Sequence, residues 1–197
     1  MEGDADRVAQ SKAQLRQELK SRWASLDSVE RARQSALVCA RVLDLAEWRE
    51  ARSVALFDPR GDEPDVRPLF AEALRTGRRV AFPGWDPDSE TYCFREVCGE
   101  GDFVLGRFGL REPSQDCPRF GPESLDLALV PGVAFTLDGA RLGRGRGFYD
   151  RLLASFRGTA CGVCFDFQLL EKIPVAAHDV KMQRVLSPTS ARRDGAG

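Results

Sequence analysis

Short apolar runs alternate with amphipathic helices along this chain, and that alternation restricts the possible folds more than any other feature of the sequence. Residues 53–57 and 79–82 are apolar runs of strand length, and proline and glycine follow each of them. The segment between them has the apolar spacing of a helix that Gly77 ends. Since parallel strands need a long crossover, usually a helix, this order predicts a layered α/β domain with a mostly parallel sheet.

The remaining elements follow from the same periodicities. Residues 12–26 have helical spacing, and a second helix is predicted to begin at Asp27, whose carboxylate can cap it while Glu30 reaches back. Asp65 is the predicted cap of the helix that ends before Gly77. Further buried strands are predicted at residues 125–130, 160–167 and 185–186, with one edge strand at residues 92–97.

The composition is that of one soluble globular domain: of the 197 residues, 43% are hydrophobic and 30% charged. We expect a single domain over residues 1–197, with frayed ends at about residues 1–8 and 190–197. A formal net charge of −1 argues against a nucleic-acid partner, and no run approaches the ~20 apolar residues of a membrane span. The polar N-terminus has no secretory signal, so we expect a cytoplasmic protein. The sequence has no coiled coil, which favours a monomer.

A glycine-rich segment, defined here as the glycine loop (residues 143–147), is the strongest sign of a ligand site. Its residues are Gly143, Arg144, Gly145, Arg146 and Gly147. Glycines at every second position let the backbone N–H groups approach phosphate oxygens, and the arginines add permanent positive charge. An apolar helical pattern begins at Phe148, so the loop is predicted to end at a helix N-terminus. A mobile surface turn is the alternative, although such a turn has no need of the arginines.

The glycine loop matches neither of the common phosphate-binding motifs. A P-loop has Lys followed by Ser or Thr after its last glycine, where this chain has Phe148 and Tyr149. A dinucleotide-binding fold has its last glycine three residues after the second, usually near the first strand. The loop therefore indicates an anion site without identifying the anion.

Four further side chains suit a ligand site, and each has an ordinary structural alternative. Asp150, in the first turn after the loop, can hold Mg²⁺ or compensate the helix dipole. Glu63 follows the first strand, where α/β sheets place ligand groups, or it is an exposed turn residue. Lys12 and Arg16 are four residues apart on one helix face, which either binds an anion or is solvated.

The number and spacing of the histidine and cysteine residues argue against a metal site and against a protein nucleophile. His178 is the single histidine of the chain, which excludes a multi-histidine metal site, and no nucleophile motif accompanies it. Cys161 and Cys164 have the spacing of a zinc or redox pair, but they lie in an apolar strand-like run without a second pair. Buried thiols are the favoured interpretation.

The chain resembles the 5-formyltetrahydrofolate cyclo-ligases, also called methenyltetrahydrofolate synthetases, in which these motifs occur together in the same order. The resemblance is carried by Lys12 and Arg16, Glu63, residues 130–135, residues 139–150 and the region of Asp179. It covers nearly the whole chain. It implies a three-layer α/β/α domain with a mostly parallel sheet, similar to phosphosugar isomerase and CoA transferase folds.

The resemblance also implies the site residues. The ATP-binding residues would be Lys12, Arg16, Arg141, Leu142, Gly143, Arg144, Gly145, Arg146, Gly147, Phe148 and Tyr149. The folate-binding residues would be Asp58, Glu63, Arg144, Gly145, Arg146, Gly147 and Phe148. Asp150 and Asp179 would hold Mg²⁺, and Arg144, Arg146 and Tyr149 would be catalytic.

The chain departs from the family pattern at a few positions. Phe148 stands where tyrosine is usual, and Asp58 stands where an apolar residue more often lines the folate pocket. The segment 85–121 matches loosely, so Trp85, Phe108 and Glu112 are only minor candidates for folate contacts.

The activity implied by the resemblance is the conversion of 5-formyltetrahydrofolate and ATP to 5,10-methenyltetrahydrofolate, ADP and phosphate. The formyl oxygen would be phosphorylated, and N10 of the folate would then close the ring. A non-catalytic nucleotide- or folate-binding protein is the alternative, and a phosphosugar isomerase of similar fold is a third possibility.

Overall fold

The computed structural model describes residues 2–106, 109–176 and 179–191. The helices are α1 (Glu2–Ala24), α2 (Ser28–Asp44), α3 (Ala46–Glu50), α4 (Arg67–Arg75) and α5 (Phe148–Leu152). The strands are β1 (Ser53–Ala55), β2 (Arg79–Asp86), β3 (Thr91–Glu96), β4 (Phe103–Leu105), β5 (Arg111–Pro113), β6 (Arg119–Phe120), β7 (Leu127–Val130), β8 (Ala134–Thr136), β9 (Arg141–Leu142), β10 (Thr159–Val163), β11 (Leu169–Leu170) and β12 (Arg184–Leu186). Short 3₁₀ turns cover Glu100–Asp102, Pro122–Ser124 and Asp166–Gln168.

The central sheet has seven strands in the order β12-β10-β7-β1-β2-β3-β6. The first five are parallel to one another, and β3 and β6 complete the sheet in antiparallel pairing. The prediction of an α/β fold with a mostly parallel sheet is therefore confirmed. The prediction that residues 92–97 form an edge strand is wrong, because β3 pairs with β6 as well as β2. β6 has only two residues, which is too short for a periodicity to reveal.

β2 is also longer than predicted, since it continues through Pro83 and Gly84 to Asp86. Its pairing with β1 ends at Ala81, whereas its pairing with β3 continues to Asp86. Beyond Ala81 one side of β2 therefore has no partner strand among the described residues. A proline is tolerated in a strand at such an edge, because its missing N–H interrupts no ladder there.

The two faces of the central sheet bury side chains of different size. Large side chains such as Val54 and Phe82 face α2, α3 and α4. On the opposite face four alanines lie in register across four adjacent strands, in the order Ala81, Ala55, Ala128 and Ala160. Small side chains let the layer above approach closely, and they leave room for a cleft.

The layer on the alanine face consists of α5 and a small sheet with the strand order β11-β8-β9. Phe135 of β8 is fully buried between two glycines. A Cβ on Gly162 would lie 2.4 Å from Phe135 Cε1, and one on Gly132 would lie 2.7 Å from Phe135 Cζ. Leu19 of α1 packs against the small sheet from outside, next to Leu142.

Local signals predicted the beginning of α2 and the end of α4 correctly, but not the beginning of α4. Asp27 caps α2 as predicted, because its carboxylate accepts the Glu30 N–H at 2.8 Å. Asp65 is not the N-cap of α4, a position that Val66 occupies, although Asp65 Oδ1 accepts the Arg67 N–H at 3.1 Å. Gly77, with φ +74°, follows the end of α4 as predicted.

The domain boundaries stay a prediction, as do the frayed ends. The structure places the beginning of α1 at Glu2, within the segment that we expected to be frayed. In the described part of the chain, the helices are all too short or too polar to span a bilayer.

Candidate active site

A cleft of about 730 Å³, called the main cleft from here on, lies at the carboxyl ends of β1 and β7. Phe57 and Asp58 reach it from the end of β1, and Pro131 and Gly132 reach it from the end of β7. The glycine loop and α1 supply the facing walls. Open α/β sheets bind ligands at this edge, since the carboxyl ends of parallel strands meet there.

One end of the main cleft is rich in cations. Lys12 of α1 forms an ion pair with Asp179, with 2.5 Å between Nζ and Oδ2. Asp179 Oδ2 also accepts the Ala176 N–H at 2.7 Å, which fixes the carboxylate. Arg16, one turn after Lys12, donates from Nε to the Gly143 carbonyl at 2.8 Å. The helix face that bears Lys12 and Arg16 is therefore part of the site, and it is not merely solvated.

Arg141 lies beneath this end of the cleft and is almost fully buried. Its guanidinium donates to Asp150 Oδ1 at 3.2 Å and to the Pro131 carbonyl at 3.3 Å. Arg141 Nε is buried and has no hydrogen-bond partner among the described residues. Burying a guanidinium is unfavourable unless anionic groups compensate its charge. Arg141 therefore favours further negative charge at this end of the cleft.

Asp150 and Asp179 lie in the same corner, because the N–H of Val180 donates to Asp150 Oδ1 at 3.4 Å. Within the part of the chain that the structure describes, no three Cys, His, Asp or Glu side chains are grouped to hold a metal ion. Mg²⁺ in nucleotide sites needs only one or two protein carboxylates, since phosphates and water supply its other ligands. The donor set present therefore fits Mg²⁺ bound together with phosphate.

The opposite end of the main cleft contains a buried carboxylate. Glu63 is only 8% exposed, so the alternative of an exposed turn residue is wrong. Its Oε2 accepts the Arg60 N–H at 2.9 Å, and Arg144 Nη2 donates to its Oε1 at 3.0 Å. Burial raises the pKa of Glu63 above its usual value, and the Arg60 N–H and the charge of Arg144 partly oppose that effect. Arg144 Nη2 also pairs with Asp62 at 2.5 Å.

Asp58 lies in the same region, 3.8 Å from Arg111 Nε. Burial raises the pKa of the Asp58 carboxyl, and the charge of Arg111 acts in the opposite direction. The structure thus places Asp58 on the cleft wall, where we expected a substrate contact.

Aromatic rings form the wall between the two ends. Phe148 contacts Tyr92, with 4.7 Å between the ring centroids. The Tyr92 hydroxyl donates to Glu112 Oε1 at 2.7 Å, and the Trp85 N–H donates to Glu112 Oε2 at 3.0 Å. Glu112 is buried and lines the cleft, so this minor candidate belongs to the site. Sequence reasoning missed Tyr92, since its position in a strand does not indicate which ring it faces.

The glycine loop has the backbone that its composition suggests. Gly145 and Gly147 have positive φ values of 93° and 61°, a region that other residues rarely adopt. A Cβ on Gly145 would lie 3.3 Å from Arg16 Cζ, so the absence of a side chain there lets Arg16 approach. α5 begins directly after the loop, at Phe148, as predicted.

Tyr149 and Arg146 line the main cleft in different environments. Tyr149 lies under the guanidinium of Arg141, 5.5 Å from its ring centroid to Cζ. Burial raises the pKa of the Tyr149 phenol, and the charge of Glu63 adds to this effect, so the phenol is protonated at neutral pH. Arg146 is exposed at the rim.

The structure brings together the residues to which the family resemblance gave roles with ATP, folate and Mg²⁺, with one exception. Leu142 does not line the main cleft, because its side chain is fully buried in the apolar cluster with Leu19 and Ala134. It anchors the glycine loop to the small sheet. His178 and Phe108 lie outside the described residues.

Cys161 and Cys164 are buried on the central sheet, away from the main cleft. Burial raises the pKa values of both thiols, which makes their reactive thiolate forms less accessible. The interpretation as buried thiols is confirmed, and neither cysteine contributes a nucleophile to the site.

Comparisons with known proteins identify the family of the chain. The family model for the 5-formyltetrahydrofolate cyclo-ligases matches residues 8–188. A 5-formyltetrahydrofolate cyclo-ligase of Mycolicibacterium smegmatis is 39% identical over 145 residues, covering 70% of this chain and 74% of that protein. The corresponding protein of Escherichia coli is 35% identical over 144 residues, covering 71% and 79%.

A solved structure is similar over almost the full length. The NMR structure of Aquifex aeolicus 5,10-methenyltetrahydrofolate synthetase has a TM-score of 0.84 and 34% identity, covering 94% of this chain and 95% of that chain. The sequence match and the fold therefore agree over most of the molecule. The chain belongs to the 5-formyltetrahydrofolate cyclo-ligase family of enzymes.

Proposed function

We propose that this protein uses ATP and Mg²⁺ to convert 5-formyltetrahydrofolate to 5,10-methenyltetrahydrofolate, with release of ADP and phosphate. The observation that carries the proposal is the main cleft itself. It combines a cationic end, a pair of carboxylates and a separate buried carboxylate within about 730 Å³. A cleft of this size suits small-molecule substrates.

The cationic end suits the phosphates of ATP. Lys12 and Arg16 lie on one side of the glycine loop, and the backbone of the loop supplies N–H groups on the other. Asp150 and Asp179 are the residues that would hold Mg²⁺, which would neutralise charge on the phosphates. Lys12 pairs with Asp179 and Arg141 pairs with Asp150, and with Mg²⁺ and ATP bound both cations would contact phosphate oxygens.

The Glu63 end suits the pterin ring of the folate. A carboxylate has about four acceptor positions, and the Arg60 N–H and Arg144 use two of them in Glu63. The remaining positions can accept hydrogen bonds from the amino and ring N–H groups of a pterin. Phe148 and Tyr92 would contact the flat face of the ring.

The reaction itself needs positioning and charge neutralisation more than a protein nucleophile. The formyl oxygen attacks the γ-phosphorus of ATP, the bond from phosphorus to the bridging oxygen breaks, and ADP leaves. N10 then attacks the formyl carbon and loses its proton to water, the bond from that carbon to the phosphate oxygen breaks, and phosphate leaves. Arg144 and Arg146 would stabilise the negative charge on the transferring phosphate, since the loop that bears them lies between the two ends of the cleft.

A direct absorbance assay tests this proposal. Purified protein with 5-formyltetrahydrofolate and Mg²⁺ should produce the absorbance of methenyltetrahydrofolate only when ATP is added. Arg146→Ala should lower kcat about 10- to 100-fold, whereas Arg75→Ala, which removes an exposed cation on α4, should leave it unchanged. Absence of product with the wild type would contradict the proposal. Tight calorimetric binding of ATP or folate without turnover would instead support the non-catalytic alternative.

The remaining expectations concern the location, oligomeric state and partners of the protein. We propose a cytoplasmic monomer whose partners are small-molecule substrates, without a nucleic-acid or membrane partner. Light scattering after size-exclusion chromatography measures the mass of the assembly, and a mass of two chains would contradict the monomer.

A further inference from the structure

A second cleft, called the side cleft from here on, lies behind the glycine loop and has a volume of about 700 Å³. α1 forms one wall, and residues 61–62 and the turn at Phe167 form the others. Arg16 and Arg144 line both clefts, so these two arginines stand at the boundary between them. Positively charged side chains therefore extend from the main cleft into the side cleft.

The side cleft has cations that no substrate assigned above requires. Lys20 lies one turn after Arg16 on α1, and Arg31 of α2 faces them. Among the described residues that line this cleft, Asp62 is the single carboxylate, and its Oδ1 is bonded to Arg144. Arg16, Lys20 and Arg31 therefore line a space whose one acid is already paired with Arg144.

Arg31 is held at a fixed position, and its apolar surroundings favour the binding of an anion. Arg31 Nη1 donates to the Leu26 carbonyl at 2.7 Å, and its Cζ lies 4.8 Å from the ring centroid of Trp23. These contacts hold the guanidinium in place beside the cleft. Trp23, Leu19 and Phe167 supply apolar walls, and a less polar surrounding strengthens the attraction between a fixed cation and an anion.

We propose that the side cleft binds oxyanion groups, either phosphate or a short chain of carboxylates, next to the main cleft. The choice of two candidate sources for such groups rests on the proposed function. One source is the phosphate that the reaction releases, for which Arg16 and Arg144 would mark the exit from the main cleft. The other source is the glutamate tail of the folate, which carries carboxylates beyond the reacting ring. Both sources need the same chemistry, namely several cations at fixed positions beside an open space.

An NMR titration without ATP or folate tests this site independently of the reaction. The chain has three tryptophans, and Trp23→Phe identifies the indole N–H resonance that reports on the side cleft. Inorganic phosphate is titrated in one series and tri-γ-glutamate in another, with sodium chloride at matched ionic strength as the reference. We expect a saturable shift of the Trp23 resonance with at least one oxyanion, but no saturable shift with chloride.

The variants locate the binding. Lys20→Ala should weaken binding about fivefold, because it removes one partly solvated ion pair. Arg22→Ala, which removes an exposed cation of the same helix outside the side cleft, should bind like the wild type. Alanine favours helix, so both variants keep α1 intact.

The two series distinguish the sources. A shift with phosphate alone assigns the site to released phosphate, and a shift with tri-γ-glutamate alone assigns it to the folate tail. An unmoved Trp23 resonance in both series, a chloride effect equal to theirs, or unchanged binding in Lys20→Ala would overturn the proposal. Because no turnover is measured, these outcomes are separate from failure of the proposed reaction.

Discussion

Arg144 Nη2 lies 3.0 Å from Glu63 Oε1, so a residue of the glycine loop is bonded to the buried carboxylate at the opposite end of the main cleft. The two residues are 81 positions apart in the chain. A ligand whose N–H groups donate to the remaining acceptor positions of Glu63 shares the carboxylate charge with Arg144 and weakens this ion pair. We therefore expect folate binding at Glu63 to release Arg144 toward the transferring phosphate, which would couple the two substrates.

Replacing Glu63 by glutamine tests its role in folate binding. Glu63→Gln keeps the size of the side chain but removes the charge and one acceptor, so we expect KM for 5-formyltetrahydrofolate to rise about tenfold or more. KM for ATP should change much less. Steady-state kinetics with each substrate varied in turn measures both constants. Glu50→Gln, an exposed carboxylate on α3, is the matched control, and an equal rise in both KM values would contradict the assignment.

The same variant has a pH-dependent effect on stability. Because burial raises the pKa of folded Glu63 above its ordinary 4.5, this residue contributes stability below pH 4.5. That contribution is lost as the pH rises through the raised pKa. At pH 7 to 8, Glu63→Gln should thus have a Tm equal to or above that of the wild type. A thermal melt at several pH values checks this, and a lower Tm at pH 8 would show that the pair with Arg144 outweighs the burial.

Asp150 and Asp179 should control the requirement for Mg²⁺. Asp150→Asn and Asp179→Asn each remove a carboxylate from the cationic end, and we expect the half-saturating Mg²⁺ concentration to rise about tenfold or more. Initial rates at fixed ATP and varied free Mg²⁺ give this concentration. Asp88→Asn, which changes an exposed acid in the β2–β3 turn, should leave it unaltered. The wild-type Mg²⁺ dependence in both site variants would refute the assignment.

The contact between Gly162 and Phe135 should limit substitution in the core. A Cβ at position 162 would lie 2.4 Å from the Phe135 ring, which is held from the other side by Gly132. We expect Gly162→Ala to lower the free energy of unfolding by about 1–3 kcal/mol. Gly101→Ala is the control, since a Cβ there would have no atom of the described residues within 4 Å. Urea denaturation of both variants measures the difference, and equal midpoints would contradict the packing described for Phe135.

Local patterns were sufficient for the parallel part of the fold. Strand-length apolar runs separated by helices predicted the order of elements, and Asp27 and Gly77 marked helix ends. Elements of two residues, such as β6, β9 and β11, were not predictable, because two residues have no periodicity. The small sheet on the alanine face consequently became visible only in the structure.

Neighbouring residues alone were enough to predict the glycine loop, its positive charge and the helix that follows, since all three are local features. The contacts of the loop with distant residues became known from the folded molecule. Folding pairs Lys12 with Asp179, 167 positions away, and Glu63 with Arg144, 81 positions away. It also buries the Leu142 side chain in the core. Such contacts depend on how distant elements pack, and a side chain carries no local signal of the distant partner that packing will bring to it.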